Sequence, residues 1–115
     1  MTHGNVIIRL VLAMAMTAAA AASVSPLRAE ETYTLTIGDQ GFQPSALDVR
    51  AGMKIRLTVL NSTKKPAEFE SADLAREKVV PPGRSVTLSI GPLKAGSYKF
   101  FDDFDRSRHG TITAK

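Results

Sequence analysis

From Thr32 onward the chain alternates. Tyr33, Leu35 and Ile37 are separated by Thr34 and Thr36; Ile55, Leu57 and Val59 by Arg56 and Thr58; Val86, Leu88 and Ile90 by Thr87 and Ser89. Successive side chains leave an extended backbone on opposite sides, so an apolar residue at every second position marks a strand with one buried face. Gly38-Asp39-Gln40-Gly41, Ala51-Gly52, Pro81-Pro82-Gly83, Gly91-Pro92 and Ala95-Gly96 cut these runs short, as does the polar stretch from Asn61 to Pro66. Strands are expected at 32–37, 47–49, 54–60, 84–90, 98–101 and 110–114. Residues 67–80 have no clear period and are expected to be irregular, with at most one short helical turn that Ser71 or Asp73 caps. Turn signals roughly every 8–12 residues point to an all-β sandwich of about seven strands.

The first 29 residues follow different rules. Arg9 precedes an apolar run from Leu10 to Met16 that continues into Thr17-Ala18-Ala19-Ala20-Ala21-Ala22, and Leu27-Arg28-Ala29 ends it. A basic start, a short apolar stretch and a small residue at the end make a signal peptide. The run is short for a membrane span, which takes about 20 residues. Cleavage is expected after Ala29, with Ala22 as the alternative. The expected organisation is a leader at 1–29 and one domain at 30–115, exported to the periplasm, with no membrane span once the leader is gone.

Removing the leader takes two of the fifteen basic residues and none of the eleven acidic ones, which leaves a net charge of +2. That balance gives no footing for nucleic acid. The chain has no cysteine, so disulfides, thiol redox chemistry, iron–sulfur clusters and thiolate zinc sites are excluded. Met53 is the only methionine after the leader, which excludes a methionine-rich copper(I) cluster. No nucleophile elbow or Gly-rich phosphate loop supports a hydrolase or nucleotide enzyme.

The series Gly41-Phe42-Gln43-Pro44, Val49-Arg50-Ala51-Gly52, Leu57-Thr58-Val59-Leu60-Asn61, Pro82-Gly83, Ala95-Gly96-Ser97-Tyr98-Lys99-Phe100-Phe101 and Gly110-Thr111-Ile112 resembles the ordered landmarks of the cupredoxin-like domain. The resemblance implies a Greek-key β-sandwich over residues 32–115. Pro66-Ala67-Glu68-Phe69-Glu70-Ser71, Arg76-Glu77-Lys78-Val79, Ile90-Gly91-Pro92-Leu93-Lys94-Ala95-Gly96 and Phe101-Asp102-Asp103-Phe104 are similar to the small periplasmic cupredoxin-like proteins of bacterial ferrous-iron uptake. That closer likeness implies a metal-binding accessory. Its partners would be an inner-membrane iron permease and other periplasmic iron-uptake components, and iron(II) oxidation would require a bound redox metal or a redox partner.

A type 1 copper site takes two His, a Cys thiolate and a weak axial Met. Aligned on the resemblance, the first His position holds Ala67, the Cys position Asp102 and the second His position Asp105; the Met position falls near Arg108 or His109. No part of the set is intact, so a type 1 centre is excluded unless a partner donates ligands. Oxygen donors remain. Glu68 and Glu70 lie on one side of an extended segment with Phe69 on the other, and Asp102, Asp103 and Asp105 follow the strand at 98–101. The implied topology brings both segments to one end of the sandwich. Carboxylates suit hard cations, manganese and iron among them, better than copper(I), and His109 adds an imidazole. The candidate metal ligands are therefore Glu68, Glu70, Asp102, Asp103, Asp105 and His109, and the candidate ion is iron or copper. Set against this, single acidic residues in loops are ordinarily plain solvated surface. The competing expectation is a metal-free β-sandwich that docks on a permease or another periplasmic protein.

Overall fold

The computed structural model describes residues 30–115; the expected leader and its cleavage site lie outside the described residues. Nine strands build the domain: β1 (Glu31–Gly38), β2 (Gly41–Gln43), β3 (Ala46–Val49), β4 (Ile55–Asn61), β5 (Ala67–Ser71), β6 (Arg76–Val80), β7 (Ser85–Ile90), β8 (Gly96–Asp102) and β9 (Asp105–Ala114). One sheet has the order β2-β1-β4-β7 and the other β3-β9-β8-β5-β6. The β1–β4 and β3–β9 pairs are parallel and the remainder antiparallel. Among the described residues no helix is long and apolar enough to cross a membrane.

The sandwich expected from alternation is present, with nine strands where about seven are expected and no helix among the described residues; β2, β5 and β6 have no counterpart among the expected spans. The difference lies chiefly at residues 67–80, which form the β5–β6 hairpin. Ser71 does cap a turn, but the turn is tight and turns back on itself: the Leu74 amide donates to Ser71 Oγ at 3.1 Å. Ala75 takes a left-handed backbone angle of φ 52° to close it. Asp73 accepts from the Lys99 amide at 2.8 Å, which ties the turn to β8.

Alternation decides which residues fill the core. Leu35, Ile37, Leu57, Val59, Phe69, Val80, Phe100 and Ile112 are fully buried. Three phenylalanine rings meet at the centre, Phe42 edge-on to Phe100 at 4.8 Å and Phe69 stacked on Phe100 at 5.5 Å. Such pairs add about 0.5–1.5 kcal/mol beyond their buried area. Gly110 makes the arrangement possible. A Cβ there would sit 2.4 Å from the Phe100 ring and from the Ser45 carbonyl oxygen, so a side chain at 110 would push the ring out of place at about 1–3 kcal/mol.

Candidate metal site

On β5, Ala67, Phe69 and Ser71 enter the core, which turns Glu68 and Glu70 to the outer face of the five-stranded sheet. On β8, Phe100 and Asp102 enter the core, so Phe101 faces out beside Glu70, its register partner. β8 and β9 join through Asp103-Phe104, a connection of only two residues, and Asp102 and Asp105 are register partners at the strand ends. The Asp103 amide donates to the Glu68 carbonyl at 3.0 Å. That bond fixes the hairpin tip against the start of β5.

The outcome is a convergence of Glu68, Glu70 and Asp103, each offering a carboxylate oxygen within 4.8 Å of the others. Glu77 joins them from β6, as the register partner of Glu70. Crowding like charges disfavours ionisation. The Glu68 carboxyl is pushed up to about 7, first by its hydrogen bond with the Glu77 carboxyl, then by burial and by the charges of Glu77, Asp103 and Glu70. Glu70 is raised as well, by burial first and then by Asp103 and Glu77, with Arg106 opposing. Glu68 is only 6% exposed, although it lies on an outer face. Arg106 holds Asp103 at 2.9 Å.

The other expected ligands stand elsewhere. Asp102 is fully buried. Its Oδ1 accepts from the amides of Glu68 at 2.9 Å and Phe104 at 3.0 Å, and its Oδ2 meets Arg108 Nη1 at 3.4 Å. Asp105 accepts from Ser107, which lowers its carboxyl, and lies 3.6 Å from Arg108 Nε. His109 is the register partner of Phe101 on β9 and is not one of the three converging groups. Asp102 therefore braces the site, Asp105 anchors Arg108, and His109 belongs to the neighbouring part of the same sheet face. Glu77 is not among the ligands expected from the sequence. Its signal was the hairpin register, in which a turn at 72–75 sets Glu77 opposite Glu70.

A family model described as the cupredoxin-like domain matches residues 6–114. An uncharacterized protein of Rickettsia prowazekii (strain Madrid E) is 44% identical over 70 residues, 61% of this chain and 56% of the relative. The match thus spans little more than half of that relative's length. The metal-binding domain of the Cu(I)-exporting P-type ATPase CopA of Streptococcus pneumoniae D39, solved with Cu(I), is similar at TM-score 0.66 and 13% identity, over 73% of this chain and 84% of that one. Reduced auracyanin of the photosynthetic bacterium Roseiflexus castenholzii gives a TM-score of 0.62 at 17% identity, over 76% and 98%. A purple cupredoxin of Nitrosopumilus maritimus gives 0.58 at 18%, over 71% and 98%. At these identities the likeness is one of fold.

The donors present do not fit type 1 copper. The thiolate that such a centre requires cannot be supplied, since the chain has no cysteine. Ala67 offers no donor atom. The Asp102 carboxylate is already held by two amides and a guanidinium. With the family model spanning nearly its whole length, the chain belongs to the cupredoxin-like domain family, and its converging carboxylates lie on the face of a sheet.

Proposed function

We propose that this chain is a periplasmic accessory of bacterial iron uptake, which takes an iron or copper ion as cargo through Glu68, Glu70 and Asp103. One observation carries the reading: three carboxylate oxygens within 4.8 Å, with a fourth acid beside them raising the Glu68 carboxyl to about 7. Only protons or a cation relieve such crowding. Oxygen donors favour iron(II) and manganese(II) over copper(I). Asp102 contributes by bracing the Glu68 and Phe104 amides, which sets the spacing of the donors on either side of it. The side chains around the site offer no electron acceptor, so the reading is binding and delivery, not oxidase activity.

The location and partner belong to the same proposal. Residues 1–29 direct export and are cut after Ala29, and the mature domain meets an inner-membrane iron permease and other periplasmic components of the system. The N-terminal residue of protein recovered from a periplasmic fraction checks the first part; recovery of the intact chain from the cytoplasm alone overturns it.

Calorimetry with iron(II) under anaerobic conditions, and with manganese(II) and copper(II), tests the site. One saturable binding event, weakened about tenfold or more by Glu70→Gln and by Asp103→Asn, is expected. A second reading, a metal-free docking module, draws on Phe104 and Val79. They are 56% and 48% exposed and flank the acids, one following Asp103 and the other paired with Glu68. Failure of all three ions to bind leaves that second reading standing.

A further inference from the structure

The outer face of the five-stranded sheet changes character halfway across. β5 and β6 present Glu68, Glu70 and Glu77. The register of the next pair sets Lys99 beside Thr111 and Phe101 beside His109, and directly opposed residues on one face of a ladder are in side-chain contact range. Arg106 folds back from the hairpin, its guanidinium carbon 5.2 Å from the centre of the Phe101 ring. These five residues line a groove of about 460 Å³, within the roughly 300–1,000 Å³ of small-molecule sites.

The charge of this groove is one-sided. Lys99 and Arg106 line it beside the His109 imidazole and no carboxylate does; Arg106 is held by Asp103 at the hairpin end, which leaves Lys99 as the unpaired charge. The bonds of Lys99 run through its backbone, and neither its ammonium nor the His109 imidazole has a hydrogen bond or ion pair among the described residues. Phe101 is half-buried, and with the Arg106 guanidinium over its ring it supplies a flat wall. An occupant must therefore bring negative charge and a flat apolar surface together.

We propose that this groove binds a small organic anion with a flat apolar body, of the aromatic carboxylate class. Lys99 meets the anionic end, the Thr111 hydroxyl donates to it, and the ring of the ligand lies against the stacked Arg106 guanidinium and Phe101 ring. The Glu70 carboxylate, across the ladder from Phe101, repels the anionic end and so turns it toward Lys99. The groove holds its ligand without any metal, so its test is independent of the metal reading.

Sodium benzoate is the probe, titrated into the metal-free protein and followed by two-dimensional amide NMR. Saturable shifts are expected at Lys99, Phe101, His109 and Thr111. Lys99→Gln, an exposed position on a strand, should keep the spectrum of the fold and weaken benzoate about threefold to fivefold, the range of an exposed charge contact. Sodium acetate, with the same charge and no ring, should bind more weakly by at least as much. Shifts that do not saturate, equal affinity in Lys99→Gln, or equal affinity for acetate each overturn the proposal.

Discussion

Asp102 and Asp103 are neighbours in the chain with opposite surroundings. Asp102 points into the sandwich, fully buried, held by two amides and by Arg108. Asp103 points out, among Glu68 and Glu70, with Arg106 as its exposed counter-ion. One peptide step separates an acid whose charge is satisfied within the protein from one whose charge is shared with other acids. The first is a structural clamp. The second belongs to the proposed cation site, and the two are expected to respond in opposite ways to the loss of charge.

The largest expected effect breaks the clamp. Arg108→Met leaves a buried carboxylate without its cation, which costs about 3–5 kcal/mol when a buried pair loses one partner. Asp102→Asn keeps an acceptor for the Glu68 and Phe104 amides and should cost less. The double variant should be more stable than Arg108→Met alone, because no buried charge is left over. Chemical denaturation of the four proteins measures this cycle. Equal loss in Arg108→Met and in the double variant would mean that charge is not what Arg108 supplies.

The outward acids should behave the other way. Glu68→Gln removes one of the mutually repelling groups, so the metal-free protein should melt slightly higher while metal affinity falls about tenfold or more. Melting curves with and without manganese(II) check both signs in one experiment. A variant that melts lower without metal and binds it unchanged would show that Glu68 is a structural group like Asp102.

The pH dependence sharpens the contrast. Glu68 titrates near 7 in the fold, against an ordinary value of 4.5. Between those values the folded protein holds a proton that the unfolded chain has released. This contribution to stability is complete below pH 4.5 and fades as pH rises through about 7. Metal competes with that proton, so metal affinity should rise over the same interval. Glu77→Gln removes a charge beside Glu68 and should move both changes to lower pH. Melting temperature and manganese(II) affinity, each taken from pH 4 to 8, decide it; profiles that Glu77→Gln leaves unmoved would remove Glu77 from the site.

How much of this arrangement was legible in the sequence depends on strand period. The opposite facing of Glu68 and Glu70 against Phe69 could be read directly, because a buried ring between two acids leaves little choice. The same logic extends from Phe100 to Asp102 and assigns Asp102 to the core side, but the strand expected at 98–101 ends one residue short of it, whereas β8 includes Asp102. The loop has only two residues, so Asp102 and Asp105 keep the orientation of their strands. Residues 76–80 were not legible as a strand. β6 is an edge strand, Arg76, Glu77 and Lys78 are exposed on it, and only Val80 is buried. Charged residues are a common way to guard a sheet edge, and they erase the apolar alternation by which a strand is recognised. Losing that strand meant losing Glu77 from the site.

The smallest expected effect tests whether the exposed counter-ion belongs to the clamp or to the site. Arg106 lies 2.9 Å from Asp103, and its side chain is largely exposed. An exposed pair contributes about 0–1 kcal/mol, so Arg106→Gln should barely change stability, unlike Arg108→Met. It should change binding in the direction opposite to the acid substitutions. Asp103 without its guanidinium is a freer donor, and the negative potential over Glu68 and Glu70 deepens. Manganese(II) affinity should therefore rise by a few fold, on the order of one exposed charge contact, and by less at high salt, where screening shortens the reach of the guanidinium. Reduced affinity in Arg106→Gln would make the guanidinium a support that holds Asp103 in place, and the division between an inner clamp and an outer site would then run between Arg106 and Glu70 instead of between Asp102 and Asp103.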